Sequence, residues 1–109
     1  MSLSPTERIK AIVDGHPVVL FMKGTPQFPM CGFSARAAEA LAAAGGSYHA
    51  VNVLQDPELR ANLPRYADWP TFPQLFVQGE LIGGCDITVD LFDSGELHRI
   101  LREAHKERA

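Results

Sequence analysis

Apolar positions along this chain switch between helical and extended spacing, in an order that predicts a layered α/β fold. Ser4-Pro5-Thr6-Glu7 reads as a helix start: a serine N-cap, proline at the first helical position, and Glu7 completing a capping box. Ile9, Ile12 and Val13 then share one face, and Gly15 closes the helix. Val18–Met22 is an uninterrupted apolar run, as in a strand buried on both faces. A proline-containing loop over 23–30 leads into an alanine-rich helix over 32–44. Phe33, Ala37, Ala40 and Leu41 fall there at helical spacing, and Gly45-Gly46 ends it. Residues 48–54 read as a second strand, and Asp56-Pro57 opens a helix that runs to about residue 66. Gln74–Val77 is a third strand, Gly79-Glu80 a hairpin turn, and Leu81-Ile82 a fourth strand that Gly83-Gly84 breaks. Two further helices are predicted over 87–92 and 96–106, the second with Leu97, Ile100 and Leu101 on one face.

A βαβ unit followed by a hairpin gives a four-stranded mixed sheet with helices on both faces. Ligands in such sheets bind beyond the carboxyl ends of the parallel strands. The first strand-to-helix turn is therefore the place to look for chemistry, and it carries Cys31. A thiol at a helix N-terminus has its thiolate favoured by unpaired backbone N–H groups and by the positive end of the helix dipole. Three residues on, where a dithiol site would carry its second cysteine, stands Ser34. Serine cannot resolve a mixed disulfide, so the turn presents one thiolate.

The 109 residues suffice for one core and are read as one domain, 1–109. A formal charge of −3 gives no reason to expect nucleic acid or an anionic membrane as partner. No stretch approaches the roughly 20 apolar residues of a membrane span. The N-terminal residues show neither an apolar signal core nor an Arg-rich presequence, so the expectation is a cytoplasmic protein of bacterial type, or a mature organellar one whose transit peptide is absent. The two cysteines, Cys31 and Cys85, are too few for a disulfide scaffold and too far apart for a local metal or redox pair. The four histidines show no ligand spacing, and the charged run over 99–108 reads as a solvated helix face.

Three segments together carry a family resemblance: Lys23-Gly24-Thr25-Pro26 with Cys31-Gly32-Phe33-Ser34; Trp69-Pro70-Thr71-Phe72-Pro73-Gln74; and Gly83-Gly84-Cys85-Asp86. In this order, and across essentially the whole chain, the sequence resembles a monothiol glutaredoxin of the Cys-Gly-Phe-Ser type. The resemblance implies a thioredoxin fold, glutathione binding, and a [2Fe-2S] cluster shared between two protomers. It also implies a role in iron–sulfur cluster storage, transfer and assembly, with acceptor iron–sulfur apoproteins and BolA-type proteins as partners. A homodimer is expected with cluster and a monomer without it.

Carried residue by residue, the resemblance makes Cys31 the reactive thiol and cluster ligand. It makes Lys23 a cation for the thiolate and for a glutathione carboxylate, and Arg60 the contact for the glycine carboxylate. Thr71-Phe72-Pro73 matches the family's cis-proline loop. Phe72 is then expected to pair its backbone with the glutathione cysteinyl group in the manner of strand addition, and Pro73 to be cis. Trp69 is read as packing rather than ligand contact. Asp86 is expected to be a helix N-cap, with the Cys85 and Asp86 N–H groups free to bind the γ-glutamyl carboxylate. Cys85 either lines the glutathione pocket or forms a reversible disulfide with Cys31, the first being the resting state. Ser34 either hydrogen-bonds the thiolate or is an ordinary helix residue.

The same pocket would serve a glutathione-dependent oxidoreductase acting on protein–glutathione mixed disulfides by a monothiol route. It would equally serve an iron-sensing partner of a BolA-type protein. By the resemblance, the long loop over 25–29 disfavours the oxidoreductase.

Overall fold

The structure, a computed structural model, describes residues 3–107. Helix α1 (Pro5–Gly15) begins as its residues dictate. The Ser4 amide donates to the Glu7 carboxylate at 2.8 Å, and the Glu7 amide donates to the Ser4 hydroxyl at 3.2 Å. Strand β1 (Val18–Met22) is buried along its whole length. Its side chains alternate between two cores, as the pleat requires. Val18, Leu20 and Met22 join Ala37, Leu41, Leu97 and Leu101 on one face. Val19 and Phe21 join Ile9, Val13, Leu59 and Leu63 on the other.

The remaining elements are α2 (Gly32–Ala43), β2 (His49–Asn52), α3 (Pro57–Ala67), β3 (Gln74–Val77), β4 (Glu80–Gly83), α4 (Cys85–Asp93) and α5 (Glu96–Glu107). The strands lie in the order β2-β1-β3-β4, with β1 parallel to β2 and antiparallel to β3, and β3 antiparallel to β4. Helices α2, α4 and α5 cover one face, and α1 and α3 the other. The expected four-stranded mixed sheet between helical layers is what forms. Arg8 of α1 pairs with Asp56 and, at 2.8 Å, with Glu58, tying α1 to the start of α3.

Several boundaries differ from the sequence expectation, each for a local reason. The second strand ends at Asn52, because the Asn52 side chain accepts from the Leu54 amide and folds Val53–Gln55 into a 3-10 turn. The hairpin turn is Gln78-Gly79, both with positive φ (52° and 80°), so Glu80 pairs with Val77 inside β4. Gly83 belongs to that strand instead of breaking it. Helix α4 starts at Cys85 with Gly84 as its N-cap, which puts Asp86 in the first turn and not at the cap. Its carboxylate still complements the helix dipole there. Phe33, placed by its spacing with Ala37 and Leu41, points outward and is 58% exposed. Helix α3 also tolerates an internal proline, Pro64, which the sequence reading passed over.

Of the charged run over 99–108, Arg99, Arg102, Glu103, Lys106 and Glu107 are exposed as expected; Arg108 lies outside the described residues, as do Met1 and Ser2. The histidines are packed or surface groups. His16 stacks on His49 with ring centroids 3.9 Å apart, His98 lies against Phe92, and His105 Nε2 hydrogen-bonds the Ser47 carbonyl at 2.7 Å.

The loop between β1 and α2 is a closed turn. Thr25 and Phe28 exchange backbone hydrogen bonds at 3.2 and 3.1 Å, and the Met30 amide donates to the Lys23 carbonyl at 2.9 Å. The Gly24 amide donates to Asn52 Oδ1 at 3.0 Å, which fixes the turn to the end of β2. Gly24 has φ +94°, and a Cβ there would sit 2.6 Å from both the Met30 nitrogen and the Phe28 carbonyl oxygen. Gly24→Ala is therefore expected to lower the unfolding free energy by about 2 kcal/mol in urea. An unchanged unfolding midpoint would contradict this account of the loop.

Candidate functional site

The carboxyl end of β1, the N-termini of α2 and α4, and the segment linking α3 to β3 enclose an open cleft of about 930 Å³. All eight site residues expected from the sequence line it: Lys23, Cys31, Arg60, Thr71, Phe72, Pro73, Cys85 and Asp86. They come from five separate stretches of chain, which the strand order gathers at one end of the sheet.

Cys31 occupies the N-cap position of α2 in extended conformation and is half-buried. No side-chain cap hydrogen bond closes this helix end. The amide of Ser34 lowers the thiol's pKa most, against partial burial, and the Phe33 amide, the Ser34 hydroxyl and the Lys23 charge add to the lowering. These are the groups that an N-terminal thiolate is expected to use. Ser34 is fully buried, and its hydroxyl accepts from the Lys23 amide at 3.1 Å. It thereby ties the end of β1 to the first turn of α2, a structural task that the sequence reading left open.

Cys85, at the first position of α4, is buried. Burial pushes its thiol up, with Asp86 and Cys31 acting in the same direction and Arg36 opposing them. Both cysteines are free thiols. Two sulfurs of opposite character thus border one cleft. The charged form is favoured at Cys31 and disfavoured at Cys85.

The Phe72–Pro73 peptide is cis, as the motif implied. Trp69 lines the cleft and packs its indole against Gly84. Its indole Nε1 is buried without a hydrogen-bond partner, and a Cβ on Gly84 would come within 3.2 Å of it. Phe33, Pro64, Pro70, Gly84 and Ile87 also line the cleft, and the sequence reading assigned none of them to it. The signal for Gly84 was its place beside the α4 start, where any side chain would crowd the indole. Around Cys31 the surface is unusually apolar: Phe28 is 77% exposed, Met30 70% and Phe33 58%. Among the described residues, no group of three or more His, Cys, Asp or Glu side chains could hold a metal ion, and no helix is long and apolar enough to cross a membrane.

Because its pKa is lowered, Cys31 keeps its thiolate below the pH at which an ordinary thiol protonates, whereas Cys85 does the reverse. Iodoacetamide should modify Cys31 first, along a pH profile displaced to the acid side, and Ser34→Ala should move that profile toward alkaline pH. Equal native-state rates for the two cysteines, read by peptide mass mapping, would contradict this electrostatic picture.

Comparison with known proteins agrees with this geometry. The glutaredoxin family profile matches residues 18–82. The chain is 52% identical over 97 residues to glutaredoxin 4 of Escherichia coli (strain K12), covering 89% of this chain and 84% of that one. It is 45% identical to the solution structure of reduced poplar apo GrxS14, with a TM-score of 0.77 and 91% of each chain covered. A crystal structure of a buckwheat glutaredoxin–glutathione complex superposes with a TM-score of 0.81 at 25% identity, over 93% of this chain and 90% of that one. With its thioredoxin-type sheet and helix-capped cysteine, this chain belongs to the glutaredoxin family.

Proposed function

We propose that this protein is a monothiol glutaredoxin of the Cys-Gly-Phe-Ser type, which binds glutathione in the Cys31 cleft and carries a [2Fe-2S] cluster as cargo between two protomers. The observation that carries the reading is the pairing of one thiolate-favoured sulfur at the cleft with a serine where a second, resolving cysteine would stand.

The donor set fits the cargo by arithmetic. A [2Fe-2S] cluster takes four ligands, ordinarily thiolates. One chain has two cysteines, and Cys85 is buried with its thiol pushed up. The ligand set that the resemblance implies, one Cys31 from each protomer and two glutathione thiols, is consistent with this count. Bound there, the cluster supplies transferable iron and sulfide, and the protein's part is to hold and release it.

The cleft also suits glutathione. Lys23 and Arg60 offer cations for carboxylates, the first amides of α4 suit the γ-glutamyl carboxylate, and the Phe72 backbone suits the cysteinyl group. The exposed side chains of Phe28, Met30 and Phe33 beside Cys31 form an apolar rim that a second protomer or a BolA-type protein would cover. In this reading the apoprotein is a monomer and the loaded form a homodimer, and acceptor apoproteins receive the cluster. A glutathione-ligated site with an unpaired thiol suits a reducing compartment, which we take to be the cytoplasm.

Anaerobic reconstitution of variants tests the assignment of each sulfur. Cys31→Ser should abolish the sulfide-to-iron absorption bands, and retention of a full cluster would overturn the reading. Cys85→Ser should keep the cluster, whereas complete loss would make Cys85 a ligand. Lys23→Ala should weaken glutathione binding by about fivefold, the effect of losing one partly solvated charge contact. An unchanged dissociation constant would remove Lys23 from the site. Efficient reduction of glutathione mixed disulfides by a protein that takes up no cluster would favour the oxidoreductase instead.

A further inference from the structure

Gln74 is a polar side chain with no solvent exposure, at the first position of β3 and opposite Phe21 of β1. Its Nε2 donates to the Trp69 carbonyl at 3.1 Å and to the Thr71 carbonyl at 3.3 Å. Its Oε1 is buried and has no partner. An orphaned buried acceptor costs free energy, so this amide is a poor choice for stability alone. What it does accomplish is local. The segment between α3 and β3 contains Pro70 and Pro73, which lack N–H groups, and five consecutive residues of it, 69–73, line the cleft. Both amide protons of Gln74 are spent on this segment.

The direction of that hold matters. In a trans peptide the N–H points opposite to the C=O of the same plane. The Thr71–Phe72 bond is not among the cis peptides, so drawing the Thr71 carbonyl onto Gln74 turns the Phe72 N–H the other way. Phe72 lines the cleft, and its backbone is the group assigned above to the cysteinyl part of glutathione. We infer that Gln74 is a positioning residue: its side-chain amide fixes the Trp69–Thr71 carbonyls so that the Phe72 backbone is presented to glutathione. The inference rests on the glutathione-binding reading of the cleft.

Two variants test it, each titrated with reduced glutathione by calorimetry beside the wild type. Gln74→Met keeps the volume, removes the donor and also removes the orphaned oxygen. Loss of the orphaned oxygen offsets part of the cost of leaving the Trp69 and Thr71 carbonyls unpaired, so the variant should stay folded at the assay temperature and yet bind glutathione about tenfold more weakly. Gln74→Glu places a carboxylate against two carbonyl oxygens. It should bind weakly at mildly alkaline pH and recover at mildly acidic pH, where the protonated carboxyl can donate again. Taking the ratio to wild type at each pH cancels the titration of Cys31 and of glutathione itself.

Wild-type affinity in both variants would overturn the role of Gln74 while leaving the glutathione site standing. Affinity that falls only in step with melting temperature, without acid recovery, would make Gln74 a packing residue and overturn the inference. So would failure of both variants to fold. A wild-type protein that binds no glutathione would overturn the reading of the cleft itself, and this inference with it.

Discussion

The structure depends on one electrostatic constraint: a half-buried sulfur beside an apolar rim whose negatively charged form is favoured over that of an ordinary thiol. The first turn of α2 meets that constraint with backbone. The Ser34 and Phe33 amides are oriented by the helix itself, so the charge is stabilised by groups that need no reorganisation. Ser34 then does double duty. Its buried hydroxyl accepts from the Lys23 amide, which pins the end of β1 to α2 and keeps the cation beside the thiolate. The loop from Gly24 to Met30 closes on itself and on Asn52, so it can deliver Cys31 to one fixed place despite its exposed surface.

The rest of the cleft follows from the sheet. Because β1 and β3 are antiparallel, the end of β1 meets the beginning of β3, with Phe21 opposite Gln74. The segment entering β3 is thereby brought beside the segment leaving β1. Strand β4 then returns its end to the same edge of the molecule, where Gly83 and Gly84 lead into α4 and Gly84 leaves space for the Trp69 indole. The cleft thus has a thiol with a lowered pKa, two cations and a helix N-terminus on its walls, the features from which we propose that it takes a small anionic thiol peptide. Five stretches of chain supply it without any one of them forming a site alone.

Much of this was legible in the residues. The two-sided burial of β1 was written in five consecutive apolar positions, and the capping box and Asp56-Pro57 marked helix starts that formed as expected. The location of the cleft followed from the strand-to-helix turn holding Cys31. What could not be read was set by tertiary contacts. The Asn52 oxygen that ends β2 by accepting from the Leu54 amide also accepts from Gly24, a partnership 28 residues away in sequence. Gly84 caps α4 in place of Asp86, where a side chain would crowd the indole of Trp69. Phe33 obeys helical spacing yet faces outward, because α2 covers the sheet with Ala37, Ala40 and Leu41 while its first turn overhangs the cleft. Periodicity reports which positions share a face, and it does not report where along a helix the core stops.

The central claim is that one chain supplies one cluster ligand and glutathione supplies the partner thiol. Native mass spectrometry of the wild-type protein, reconstituted anaerobically with iron and sulfide in the presence and absence of glutathione, tests it most directly. The account predicts a species of two chains, two glutathiones and one [2Fe-2S] cluster, and an uncoloured monomer when glutathione is omitted. A cluster-loaded protein formed equally well without any added thiol would contradict it.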